Sequence, residues 1–144
     1  MKIAMQKNHG LSYGEIRQAI QEKIPARVGI TRIEFEGPRL AIYCQQPEVL
    51  HEESHIVGEI ASLIKKRIVV RSDPSVRMKE LEAERVIREI VEDAGLVQLY
   101  FDPALGEVSL EVERPGEAMG RNGEKALEIV KKTHWTPIFR RSPP

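Results

Sequence analysis

The chain holds one cysteine, Cys44. A single thiol can form no internal disulfide and no cysteine-ligated metal cluster. It stands on an alternating apolar stretch, where a small buried hydrophobe is the expected role. No apolar run approaches the length of a membrane span, and no hydrophobic signal region follows Met1. A cytoplasmic protein that does not enter the membrane is the expectation. Net charge is also missing, because 22 Lys and Arg balance 22 Asp and Glu. That balance argues against a polycation coating nucleic acid unselectively, but leaves room for a local basic patch.

What is present fits a soluble, charge-rich chain. Its 144 residues, 41% hydrophobic and 31% charged, suffice for one ordinary domain or two small ones. Met1 to Gly10 shows no period and reads as a lead-in. Ser12 and Glu15 spell a capping box ahead of an apolar helical stripe of Ile16, Ala19, Ile20 and Ile24. Pro25 ends that helix. Ile30 to Phe35 reads as a strand with Ile33 and Phe35 on one face, and Glu36-Gly37-Pro38 as a turn. Leu40, Ile42 and Cys44 alternate along a second strand closed by Pro47. A polar loop then leads to a helix over Ile56, Ile60, Leu63 and Ile64, with Lys65, Lys66 and Arg67 expected in its last turn. Ile68 to Val70 is a short strand, and Ser72-Asp73-Pro74-Ser75 a linker.

The order then repeats. Ala83, Ile87, Ile90 and Val91 stripe a helix ending near Gly95, and Leu99 and Phe101 mark a strand. Asp102 to Gly106 is a hairpin turn. Val108, Leu110 and Val112 form the next strand, followed by a helix over Ala126 to Lys132 and a strand near Ile138-Phe139. Letters match as well: Ile16-Arg17-Gln18-Ala19-Ile20 parallels Ile87-Arg88-Glu89-Ile90-Val91, and Gly29 to Phe35 parallels Gly95 to Phe101. A repeat of roughly 70 residues exceeds solenoid periods and points to two related small domains, residues 1–73 and 74–144. Each is expected to be α+β, a three-stranded sheet with helices on one face.

The second half carries a feature the first lacks. Pro115 and Gly116 stop its central strand, a short apolar piece ends in Met119, and Gly120-Arg121-Asn122-Gly123 opens directly into a helix. Two glycines allow a sharp turn and close approach to another backbone. The helix start offers free N–H groups and the positive dipole end, which favour an anion. From Met119 onward Arg121, Lys125, Lys131, Lys132, Arg140 and Arg141 face only Glu124 and Glu128. That excess reads either as a phosphate-attracting face or as a solvated helix surface. In the first half Leu50 to Val57 replaces the glycine loop, and Glu52 and Glu53 would repel phosphate. Docking or dimerisation is the expected role there.

A strand, a short apolar step, a Gly-x-x-Gly loop with an internal cation and an amphipathic helix resemble the KH domain, whose loop clamps single-stranded backbone. Further letters extend the likeness. Arg71-Ser-Asp-Pro-Ser-Val-Arg77, Tyr100-Phe-Asp102, Arg114-Pro-Gly116, Gly120-Arg-Asn-Gly-Glu124 and Trp135-Thr-Pro137 resemble the tandem KH region of archaeal cleavage and polyadenylation specificity factor homologues. Those proteins are metallo-β-lactamase/β-CASP ribonucleases. The resemblance covers about Ser12 to Pro144. It implies two type II KH domains and binding of single-stranded RNA by the second, for 3′-end processing or transcription termination. Gly120, Arg121, Asn122 and Gly123 would be the clamp, assisted by Lys125 and Lys131, with Val112 and Met119 in the base groove. The family loop usually has lysine and a third glycine where this chain has Arg121 and Asn122. The nuclease motif His-x-His-x-Asp-His is nowhere in this sequence. No catalysis and no cofactor are therefore expected, and the chain reads as an excised region or a stand-alone relative. A nuclease domain in cis or trans and a second copy of the chain are the expected protein partners.

Other residues leave alternatives open. His51-Glu52-Glu53-Ser54-His55 matches His-Glu-x-x-His, a zinc-protease pattern when both histidines share a helix face. The competing reading is coincidence in a polar loop, with no third ligand in view. Trp135 could stack on a base, though a core role is commoner, and Phe139 and Tyr100 are core candidates. Met119 reads equally as groove floor or plain core. A pure protein-interaction module is the remaining class.

Overall fold

The computed structural model describes residues 11–143. The lead-in expected over Met1 to Gly10 lies outside the described residues. Helix α1 spans Tyr13–Lys23, and Ser12 and Glu15 close the expected capping box with bonds of 3.2 and 2.9 Å. Strands β1 (Ile30–Glu36) and β2 (Arg39–Cys44) form an antiparallel hairpin, and β3 (Arg67–Ser72) pairs parallel to β2. Helices α2 (Pro47–Glu52) and α3 (Ser54–Ile64) make the crossover between them.

The second half repeats this. Helix α4 (Glu80–Ile90) precedes the hairpin of β4 (Leu96–Asp102) and β5 (Glu107–Val112). The short helix α5 (Pro115–Met119) and helix α6 (Glu124–Thr133) then lead to β6 (Thr136–Arg141), parallel to β5. The sheets are ordered β1-β2-β3 and β4-β5-β6. The repeat reaches fine detail: both hairpins carry a register irregularity near their start, at Ile30/Arg32 and Leu96/Gln98. Each half keeps its own core. One gathers Ile16, Ile20, Leu40, Ile42, Leu50 and Ile60; the other Ile87, Val108, Leu110, Val112, Ile129 and Trp135. Trp135 Nε1 donates to the Met78 carbonyl at 2.7 Å, which settles it in the core role.

Several sequence expectations shift. The polar loop after β2 is mostly helix α2, begun by Pro47 at a helix start where its missing N–H costs nothing. The apolar step before Gly120 is likewise helix α5. Lys65 caps α3 in a left-handed conformation, and Arg67 already belongs to β3, so these cations lie past the last turn. Strand β3 runs on through Arg71 and Ser72 into the expected linker, and both are buried. Phe35 shares the face of Ile33 but stands beside the Gly37–Pro38 turn, 49% exposed. Tyr100 pairs with Ser109 on the face opposite Leu99 and Phe101, and is 45% exposed. Alternation, not aromatic character, decided its place.

The halves meet along two seams. Arg71 of β3 donates to Glu36 at 2.7 and 3.0 Å within its own half, and to Glu107 and the Leu105 carbonyl across the boundary at 3.0 and 3.1 Å. Ser72 Oγ donates to the His134 carbonyl at 2.6 Å. Along the second seam α2 lies against α6. Among the described residues no helix is long and apolar enough to cross a membrane.

Candidate nucleic-acid interface

Strand β5 buries Val108, Leu110 and Val112 on its inner face, which anchors everything that follows. Val112 is fully buried, so it holds the core and does not line a groove. The chain leaves α5 at Gly120 with φ +80° and ψ 171°, a conformation open almost only to glycine. A Cβ there would meet the Lys125 backbone nitrogen at 2.9 Å. Asn122 (φ 56°) and Gly123 (φ 75°) are left-handed, and Gly123 N–H donates to the Gly120 carbonyl at 3.1 Å. Asparagine is among the few side chains that tolerate this conformation.

The corner stands free. Arg121 and Asn122 are exposed, and Gly123 caps α6 without any side-chain hydrogen bond. Glu124 N–H donates to the Arg121 carbonyl, and the N–H groups that follow it in the first turn lie at the positive end of the α6 dipole. Arg121 makes no ion pair among the described residues. A shallow hollow beside the corner is lined by Gly116, Gly120, Arg121 and Lys125, but also by Asp93, Glu117 and Glu124. The basic excess counted along the sequence is thus divided. Lys131 pairs with Glu52 at 3.5 Å and Lys132 with Glu128 at 2.9 Å, leaving Arg121 and Lys125 at the corner. Arg140 and Arg141 are exposed at the far end of β6.

Behind the corner runs a groove of about 320 Å³ between α6 and the edge strand β6. Asn122, Gly123, Ala126, Leu127, Val130, Thr136 and Pro137 line it, and so does His51 of the first half. Met119 is 42% exposed next to the corner, outside this groove. His51 was read only as half of a metal pattern. The helix breaks at Glu53 (φ −108°, ψ 56°), so His51 and His55 do not share a continuous helical face. Among the described residues no cluster of three or more His, Cys, Asp or Glu could hold a metal. Loss of hydration lowers the His51 pKa below its ordinary 6.5, against the opposing pull of Glu48. Nothing in the letters placed His51 on the other half's groove.

Two α+β units with an antiparallel hairpin, a helical crossover and a parallel third strand define a tandem KH-like module. The chain is similar to part of the transcription termination factors named FttA. A family model described as "Transcription termination factor FttA, KH domain" matches residues 12–77. The chain is also similar to FttA of Methanothermobacter thermautotrophicus, 42% identical over 131 residues, covering 90% of this chain and 21% of that protein. For FttA of Thermococcus kodakarensis the identity is 40% over 131 residues, with 90% and 20% covered. For FttA of Cenarchaeum symbiosum it is 37% over 144 residues, with 99% and 22% covered. The chain thus spans about a fifth of the length of these relatives. The family model falls on the half without a glycine loop, whereas the alignments to the relatives take in most of the chain.

Proposed function

We propose that this chain binds single-stranded RNA, with residues 74–144 as the gripping domain and residues 1–73 as a domain docked beside it. The observation that carries this is the exposed Gly120–Gly123 corner backed by the uncapped start of α6. One backbone phosphate sits against the α6 N–H groups, Arg121 supplies a cation, and Lys125 a second. The bases turn into the groove of Ala126, Leu127 and Val130, where apolar contact rather than charge reads them. In a longer protein carrying a metallo-β-lactamase/β-CASP nuclease domain, the module would position RNA for transcription termination or 3′-end processing.

The test is binding of short single-stranded RNA at several salt concentrations, with wild type and Gly120→Asp. Two phosphate contacts on a single strand give a log–log salt slope near −0.7 per contact. Gly120→Asp puts a carboxylate and a Cβ where the backbone must pass, and should abolish binding. Undiminished affinity would refute the clamp.

A further inference from the structure

We infer that His51, from the half without a clamp, is a nucleobase contact of the second half's groove. The inference rests on the RNA-binding reading above and adds a residue and a role to it. Three structural features meet at His51.

The first is placement. His51 is exposed, lies in the last turn of α2, and lines the same groove as Asn122, Leu127, Val130 and Pro137. The second is anchoring. Glu48, His51 and Glu52 are spaced i, i+3 and i+4 and share one face of α2. Glu52 Oε2 lies 3.5 Å from Lys131 Nζ, and Glu48 Oε1 lies 3.3 Å from His134 Nε2, an ion pair when His134 is protonated. Both partners belong to the α6 region, and Leu50, 1% exposed, pins α2 to its own core. Helix α2 is therefore fixed against α6, which keeps His51 beside the groove. The third is chemistry. His51 is the one aromatic ring among the residues lining the groove, whose remaining wall is largely aliphatic. Trp135 is buried in the core, and Tyr100 stands on the outer face of its sheet.

Unpaired bases are gripped mainly by stacking on flat side chains, histidine included. The partly dehydrated setting of His51 favours the neutral imidazole, which suits a base face better than a phosphate. RNA seated in the groove thus touches both halves, and the docked first half supplies a wall that the second half lacks.

The experiment uses the whole chain and short single-stranded RNA, with a parallel series carrying one abasic position. Variants are His51→Ala, His51→Phe, His55→Ala and Gly120→Asp. His51→Ala should weaken binding about tenfold, the loss of one modest base stack. His51→Phe should restore it, and His55→Ala, across the helix break, should change nothing. The salt slope should stay unchanged in His51→Ala, because no phosphate contact is lost. An abasic site at the sensitive position should erase the difference between wild type and His51→Ala. The His51 ring proton resonances should move on adding RNA to the wild type, which reads the contact without any variant. If Gly120→Asp abolishes binding while His51→Ala binds like wild type, the inference fails and the clamp stands. A flattened salt slope in His51→Ala would replace the base contact with a phosphate contact and overturn the inference too. If Gly120→Asp binds like wild type, the clamp fails and the inference goes with it.

Discussion

Arg71 and Glu107 face each other across the boundary between the halves, Nη1 to Oε2 at 3.0 Å, and the Arg71 side chain is 1% exposed. Two further donors of the same guanidinium engage Glu36. One buried planar cation thus ties β1 of the first half to β5 of the second. A lysine could not fork in this way. Removing one partner of such a group leaves buried charge without compensation, which costs roughly 3–5 kcal/mol in comparable cases. Arg71→Ala should therefore destabilise the chain by about 3 kcal/mol, since Glu36 and Glu107 keep some access to water. Arg71→Lys should recover only part. Urea unfolding of both variants decides it, and a loss under about 0.5 kcal/mol, typical of surface positions, would remove Arg71 from the role of tie.

The same network sets an acid limit. The hydrogen bonds from Arg71 hold the Glu36 carboxyl below its ordinary value of 4.5, with the Arg71 charge adding to them. A carboxylate with a depressed folded pKa stabilises fully above its unfolded value and loses that contribution as pH falls through the folded one. Stability should thus begin to drop below about pH 4.5 and continue downward, while Glu36→Gln should show a shallower fall over the same window. Urea midpoints measured stepwise from neutral pH into acid provide the comparison. Superimposable acid slopes would leave Glu36 without this part.

Much of the fold was legible because its signals are local. A capping box involves residues three apart, a strand face shows as alternation, and the repeat shows twice the same order of both. The Gly120–Gly123 corner was legible for the same reason: backbone freedom and a helix start are properties of neighbouring residues. What escaped was set by distant packing. Arg71 stands between a short apolar strand and a polar linker with nothing in the letters to mark it as buried, yet contact with β5 encloses it. Tyr100 reads as a core aromatic, yet it lies on the outer sheet face, and Phe35 shares the Ile33 face but is half exposed at the turn end of its hairpin. The groove wall formed by His51 exists only because α2 of one half lies along α6 of the other, and no period or motif announces that contact.

Cys44 offers a reading of core integrity. Burial pushes its thiol up to about 12, with the Glu48 charge acting in the same direction. The thiol also donates to the Arg71 carbonyl at 3.7 Å. The reactive species is the thiolate, so the folded chain should be nearly inert to a disulfide-exchange reagent at neutral pH. Reaction should proceed at the rate of a free thiol once denaturant is added. In Arg71→Ala, labelling under native conditions should accelerate in step with the measured loss of stability. Fast labelling of the intact wild type would contradict a sealed first core.

The two glycines of the corner should not be equivalent. Gly120 combines φ +80° with ψ 171°, and a Cβ there would press on the Lys125 backbone nitrogen at 2.9 Å and on two side chains besides. Gly123 has φ +75° and ψ 19°, an ordinary left-handed conformation, and a Cβ there would meet nothing within 4 Å. Gly123→Ala therefore costs only the left-handed penalty, about 1 kcal/mol, and Gly123→Asn less still. Gly120→Ala adds a backbone clash to a conformation that L-residues avoid, so it must reshape the corner and displace the start of α6. RNA affinity should fall steeply for Gly120→Ala, modestly for Gly123→Ala, and least for Gly123→Asn. Thermal unfolding of the same set should follow that order but span less, because the corner is exposed and the core beneath it is intact. Equal losses at the two positions would mean that flexibility, not the particular shape seen at Gly120, is what the corner contributes.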